Sequence, residues 1–213
     1  MSMSKLYFLG GEDVVKRDSM EINKRAFIDA GGAPFVLVFP WTAESVDKVD
    51  SYREIMVDYF KDLGASVVDF AEYSDSLKEI AGKVERSDLV YLPGGLTRVL
   101  VQRMRDKDVD SLLRKYDRVI VGRSAGALAL GKECILTVKR GNPTTVITTG
   151  IRLVDFSVKV HYHSSRDAEL KELSKEGRIY GIPERSALVY DNGALSFIGD
   201  VYLFQDGEKT SAS

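Results

Sequence analysis

The stretch from Arg118 to Leu130 constrains this chain more than any other. Val119–Val121 is a continuous apolar run, the mark of a strand buried on both faces of a sheet. Gly122-Arg123-Ser124-Ala125-Gly126 follows at once, a Gly-x-Ser-x-Gly, and small residues come after it as at the start of a helix. Strand, tight turn and helix in that order is the sequence form of a nucleophile elbow. The turn strains the serine backbone, and side chains at the flanking positions would collide with the neighbouring strand and helix, so both flanks call for glycine. A Gly-rich strand-to-helix turn can also do no more than bind phosphate. The chemistry therefore depends on whether a base, an acid and an oxyanion hole stand elsewhere in the chain.

The elbow needs a sheet, and the first 130 residues supply one. Leu6–Leu9 is a short apolar run ending at Gly10-Gly11, a strand entering a loop. Residues Ser19 to Ala30 read as a helix stopped by Gly31-Gly32. Phe35–Phe39 is unbroken apolar, as expected of a parallel strand covered by helices. Ser51-Tyr52-Arg53-Glu54 has the form of a capping box. Beyond it Tyr52, Ile55, Met56, Tyr59, Phe60 and Leu63 form one helical stripe that should face the core. Val67-Val68 and Leu89–Leu92 are further strands, with helices at Ser76–Val84, Thr97–Met104 and Val109–Tyr116. This alternation implies an α/β fold, a doubly wound, mostly parallel sheet flanked by helices. Ligands sit at the carboxyl ends of such strands, which makes Pro93-Gly94-Gly95 and Ser124 neighbours.

From Cys134 the pattern turns strand-rich: Cys134–Val138, Thr145–Thr148, Phe156–Tyr162, Ile179–Ile182, Ala187–Tyr190, Ala194–Ile198 and Val201–Phe204, with one helix at Arg166–Leu173. Asp191-Asn192-Gly193 signals a hairpin. No linker, repeat or low-complexity segment divides the chain, so residues 1–208 read as a single domain and 209–213 as a frayed, flexible tail.

At 213 residues, 44% hydrophobic, the chain can bury a sizeable core. A net charge of −2 gives no basic footprint for nucleic acid or an anionic membrane, and no apolar run approaches the roughly 20 residues of a membrane span. The N-terminus lacks a signal-peptide pattern and Cys134 is the only cysteine, so a cytoplasmic location and a buried, inert thiol are expected.

The chain has two histidines, His161 and His163, and an imidazole base for Ser124 must be one of them. Along 156–163, Phe156, Val158, Val160 and Tyr162 alternate with Ser157, Lys159, His161 and His163, so both histidines project from the polar face near a strand end. An ordinary surface pair is the plain alternative. A His-x-His metal grip is another, lacking a marked third ligand. Acids following the histidines are Asp167, Glu169, Glu184, Asp191 and Asp200. Glu184 sits at a strand end after Ile179–Ile182 and Pro183, and Asp191 is the runner-up.

Four segments together carry a family resemblance: Gly122–Ala127, Pro93-Gly94-Gly95-x-Thr97, Val160-His161-Tyr162 and Gly181-Ile182-Pro183-Glu184. In this order they resemble the dipeptidase E and cyanophycinase family of serine peptidases, over about residues 5 to 205. The resemblance implies a class I glutamine amidotransferase-like fold with Ser124 as nucleophile, His161 as general base and Glu184 orienting the imidazole. The backbone N–H groups of Gly95 and Ala125 would form the oxyanion hole. It implies hydrolysis of small peptides through an acyl-enzyme, with an aspartyl residue on the acyl side and neither cofactor nor metal. A monomer or homodimer is expected. The sequence departs from the family at Pro93, Leu96, Arg123 and Ser164–Asp167, on the expected substrate side. A carboxylate-bearing substrate calls for an arginine fork. Arg123 and Arg166 are the candidate readers, and His163 is a further substrate-side residue. An esterase or amidase with the same triad, or a non-catalytic small-molecule binder on this fold, are the alternative readings.

Overall fold

The computed structural model describes residues 4–44, 47–137 and 144–213, with the backbone alone for 47–51. The elements in order are β1 (Lys5–Leu9), α1 (Met20–Asp29), β2 (Phe35–Val38), α2 (Asp47–Asp62), β3 (Val67–Phe70), α3 (Leu77–Arg86), β4 (Leu89–Leu92), α4 (Thr97–Asp106), α5 (Val109–Leu113), β5 (Val119–Arg123) and α6 (Ala125–Leu130). The second half holds β6 (Glu133–Leu136), β7 (Val146–Thr149), β8 (Ser157–Val160), α7 (Asp167–Leu173), β9 (Ile179–Ile182), β10 (Ala187–Asp191), β11 (Ala194–Ile198), β12 (Tyr202–Gln205) and β13 (Glu208–Ser211).

Seven strands form one sheet in the order β11-β10-β1-β5-β4-β2-β3. Its five early strands are parallel, and β10 and β11 close the edge antiparallel. The apolar runs bury both faces, as a parallel sheet demands. Val36 and Val38 pack with α1 and α2, whereas Leu37 and Phe39 pack with α3, α4, α5 and α6. The sheet is thus wound on both sides. The remaining strands form a second, six-stranded mixed sheet, β13-β12-β9-β8-β6-β7, whose Val158, Val160, Tyr180 and Ile182 join the α3–α6 side of the core. The Asn192-Gly193 turn joins β10 to β11 with both residues at positive φ, 48° and 91°, as a two-residue hairpin turn requires.

Several expectations change. The Ser51–Glu54 segment does not start a helix, because α2 begins at Asp47 and Ser51 lies within it. The reciprocal cap forms instead at Ser76 and Glu79, where α3 begins. In the α2 stripe Met56, Tyr59 and Phe60 are buried, but Ile55 faces solvent. The strand expected to Val138 ends at Leu136, and Val138 lies outside the described residues. Residues 209–213 are not a frayed tail. Glu208–Ser211 pairs antiparallel with β12, and Ala212 N–H donates to Val201 O at 2.9 Å. This strand has no apolar face of its own. Lys209 holds it, with its ammonium 4.4 Å from the centre of the Tyr202 ring and 3.0 Å from Asp167.

Candidate active site

Ser124 stands between β5 and α6 with φ 49° and ψ −104°, a conformation costing a non-glycine residue on the order of 1–3 kcal/mol. The surroundings impose it. A Cβ on Gly122 would stand 2.7 Å from Ala127 N, and one on Gly126 would overlap the Leu92 carbonyl. The elbow closes against β4 only because both positions are glycine. Three backbone bonds then lock it: Ser124 N–H to Leu9 O at 3.1 Å, Gly126 N–H to Pro93 O at 3.2 Å and Leu128 N–H to Ser124 O at 3.0 Å.

The Ser124 hydroxyl lies 2.7 Å from His161 Nε2, and His161 Nδ1 bonds the Glu184 carboxylate through Oε1. Both His161 and Glu184 keep about half of their side-chain surface exposed, at 49% and 51%, so the chain leaves the site open to solvent. His161 follows β8 and Glu184 follows β9, two parallel strands of the second sheet. They reach Ser124 through the end of β1. Gly10 O accepts from His161 N–H at 2.8 Å, Gly10 N–H donates to Ser186 O at 3.0 Å, and Gly11 O accepts from Arg185 N–H at 3.2 Å. A Cβ on Gly10 would overlap the Pro183 carbonyl, and one on Gly11 would overlap the Glu184 carboxylate. With Leu9 O on Ser124, the segment Leu9–Gly11 touches the support of all three side chains. Sequence reading took Gly10-Gly11 only as a loop entrance. The signal was the doubled glycine at the carboxyl end of the central strand.

The Gly94-Gly95 loop lies beside Ser124, since a Cβ on Gly94 would meet Ser124 Cβ at 3.4 Å. Gly95 has φ 140°, and a Cβ there would stand 2.7 Å from Thr42 Oγ1. Thr42 ties the loop down through Oγ1 to Gly94 O at 2.8 Å and by accepting from Leu96 N–H at 2.9 Å. Among the described residues no acceptor takes the N–H of Gly95 or of Ala125.

The polar alternation expected along 156–163 breaks. The strand ends at Val160, His161 takes φ 49°, and Ser157 and Lys159 are buried by the second layer rather than facing water. His163 parts from His161: its ring accepts from Ser165 N–H at 3.3 Å and caps the turn 164–166. The two histidines thus serve different partners, which removes the His-x-His grip. Arg166 ends that turn and pairs with Glu169 at 3.5 Å. Asp191 lies at the opposite end of the sheet, 3.5 Å from Lys5 at the start of β1, which removes it as the acid.

Arg123 lies under α2, beside the Gly94 loop. It is only 8% exposed and donates from Nη2 to Tyr52 OH at 3.0 Å. Its Nε and the Tyr91 hydroxyl are buried without a partner. No carboxylate of a described residue comes within ion-pair distance of it. The nearby Glu12 is taken by Tyr59 OH and by Asn23 Nδ2 at 3.2 Å. Burial lifts the Glu12 carboxyl above its ordinary range, against the pull of the Tyr59 bond and the Arg123 charge. Burial likewise pushes the Tyr52 hydroxyl up to about 12.

Residues 9–198 match the family model of peptidase family S51. The chain belongs to that family. It is a serine-type peptidase, and the reading as a non-catalytic binder falls away. An uncharacterized peptidase of Listeria monocytogenes is 28% identical over 159 residues, 69% of this chain and 78% of that one. An uncharacterized peptidase of Listeria innocua is 28% identical over 130 residues, 58% of this chain and 62% of the relative. The solved structure of a Listeria monocytogenes protein named for peptidase E superposes with a TM-score of 0.72 at 23% identity, covering 92% of this chain and 98% of that one. A peptidase from an acI-B1 Actinobacterium superposes at 0.76 and 18% identity, covering 99% and 94%. These two likenesses speak for the fold. Among the described residues no helix is long and apolar enough to cross a membrane.

Proposed function

We propose that this S51 peptidase hydrolyses small peptides through a Ser124–His161–Glu184 triad and prefers an acidic, aspartyl residue on the acyl side. The observation that carries the reading is the unbroken chain of contacts from the Ser124 hydroxyl through both ring nitrogens of His161 to Glu184. Ser124 attacks the scissile carbonyl while His161 Nε2 takes its proton, and the Glu184 carboxylate stabilises the imidazolium that forms. The imidazolium then gives that proton to the leaving amine. Water, activated by the same nitrogen, releases the acid from the acyl-enzyme. The oxyanion of each tetrahedral intermediate falls to the N–H groups of Gly95 and Ala125, both without other acceptors. Losing one such donor raises a barrier by about 2.7–4 kcal/mol.

Arg123 supports the acidic preference. Among the described residues this buried guanidinium has one hydrogen bond and no carboxylate within ion-pair distance, only the more distant pull of Glu12, so a substrate anion would add a direct partner. It borders Gly94, where a Cβ would lie 3.3 Å from Arg123 Nη2 and 3.4 Å from Ser124 Cβ. Arg166 and His163 stand on the turn after His161 and are assigned to the rim of the peptide-binding surface. Residues 1–208 act as one catalytic domain, extended by β13, working as a monomer or a homodimer. The chemistry needs no cofactor.

The test is a dipeptide panel, Asp-X against Asn-X, Glu-X and Ala-X, with Ser124→Ala as control and a fluorophosphonate label on Ser124. Asp-X turnover that vanishes in Ser124→Ala supports both triad and preference. A labelled serine that turns over no dipeptide keeps the nucleophile and discards the aspartyl preference; turnover of esters or simple amides instead would favour the esterase or amidase reading.

A further inference from the structure

A groove of about 810 Å³ opens at the end of the molecule opposite Ser124. Phe156, which precedes β8, and Arg178, which precedes β9, line it, whereas His161 and Glu184 follow the far ends of the same strands. The five residue steps from Phe156 to His161 put roughly 16 Å between the two places. The groove is cationic in a chain of net charge −2. Lys132, Arg152 and Arg178 face one carboxylate, Asp155. Arg178 is already satisfied, with Nη2 at 2.9 and 3.0 Å from the two Asp155 oxygens. Lys132 and Arg152 have no carboxylate within 4 Å among the described residues. Between them the part-buried Tyr190 and Leu195 supply apolar surface.

The backbone that carries Lys132 and Arg152 is held in place rather than on a loose surface loop. Lys132 N–H donates to Phe156 O at 2.8 Å, Gly150 N–H to Lys132 O at 3.0 Å, and Arg152 N–H to Gly131 O at 3.1 Å. Arg114 reaches over to the Arg152 carbonyl at 2.9 Å. A Cβ on Gly150 would overlap the Gly131 carbonyl, so the two strands of this clamp approach as closely as backbone allows. Arg152 itself is held at φ 56°, a left-handed conformation uncommon for a side-chain-bearing residue. Its stem leaves the backbone in a direction fixed by that strain. A charge-assisted bond to each cation is stronger than a neutral one.

We infer that this groove is a second binding site, separate from the peptidase site, for a small organic anion with a flat apolar body. The acidic group lies between Lys132 and Arg152, and the body covers Tyr190 and Leu195. The inference does not depend on the aspartyl preference or on the triad.

Anilinonaphthalene sulfonate is a probe of this chemistry, and N-phenylnaphthylamine is its uncharged counterpart. Fluorescence titration of the full chain should show saturable, single-site binding of the sulfonate, unchanged after fluorophosphonate has blocked Ser124. The uncharged probe should bind at least about tenfold more weakly, and Lys132→Glu with Arg152→Glu should weaken the sulfonate by about the same factor or more. The milder pair Lys132→Ala with Arg152→Gly gives the same readout without threat to the fold, since glycine suits the left-handed backbone at 152. Equal affinity for both probes, equal affinity in the folded variants, or loss of binding on blocking Ser124 would each overturn the inference.

Discussion

Ser124 and its two partners are held in place by different means. The nucleophile is set by its immediate neighbours in sequence: Gly122 and Gly126 leave no room for any other turn, and β5 and α6 bracket it. His161 and Glu184 are set from far away, by Leu9–Gly11 at the end of β1, more than 150 residues earlier for either. The elbow glycines meet backbone and tolerate little change. In the distant support Gly10 also meets backbone, but Gly11 meets the tip of the flexible Glu184 side chain, which leaves the proposed acid adjustable.

The largest effect tests the nucleophile itself. Ser124→Ala should lower kcat by about 10⁴- to 10⁶-fold while the melting temperature stays close to wild type, read by peptide turnover and thermal unfolding. Gly126→Ala should destroy stability instead, since its Cβ meets the Leu92 backbone carbonyl, which cannot swing aside; a loss of about 3 kcal/mol or more is expected in denaturant unfolding. Gly11→Ala inverts that result. Its Cβ displaces the Glu184 carboxylate, so kcat should fall about 10²- to 10³-fold while unfolding shifts by under ~1 kcal/mol. Unchanged turnover in Gly11→Ala would end the contrast between local and distant control.

Smaller effects sharpen the same contrast. His163→Ala should leave kcat within about threefold, because its ring caps its own turn and does not reach Ser124. Cys134 donates to Leu128 O at 3.3 Å behind the elbow helix, and burial pushes its thiol up to about 11. At pH 8 the thiol therefore stays protonated and shielded. Native wild type and Gly11→Ala should resist iodoacetamide, whereas Gly126→Ala, with α6 loosened, should react; mass spectrometry of the alkylated chain reads the difference.

The same division explains what the sequence reveals. β1, β2, β4 and β5 are legible because unbroken apolar runs bury on both faces, and the elbow is legible because its glycines are adjacent to its serine. The pairing of Ser124 with His161 and Glu184 is implied by the family resemblance, since the residues alone leave five acids open. Strict alternation misled at His161, where the left-handed backbone turns the imidazole toward Ser124 and leaves His163 on another course. β13 escaped because it has no apolar face: Lys209 packs it on the distant Tyr162 as well as on nearby Tyr202 and Phe204, a contact that no period records. Arg123 is a candidate substrate reader in the sequence, and its burial beside Tyr52 of α2 is again non-local.

The dependence on Leu9–Gly11 also sets an order of events during synthesis. The central strand is made among the first residues, the serine follows at 124, and the proposed acid arrives only at 184. Chains emerge from the ribosome N-terminus first. A nascent chain that exposes Ser124 thus has neither its base nor its acid, and β1 waits with one edge open until β10 docks beside it. On the proposed triad, the hydrolytic centre is silent until the segment carrying Glu184 has been made, which protects neighbouring nascent chains from a half-built peptidase.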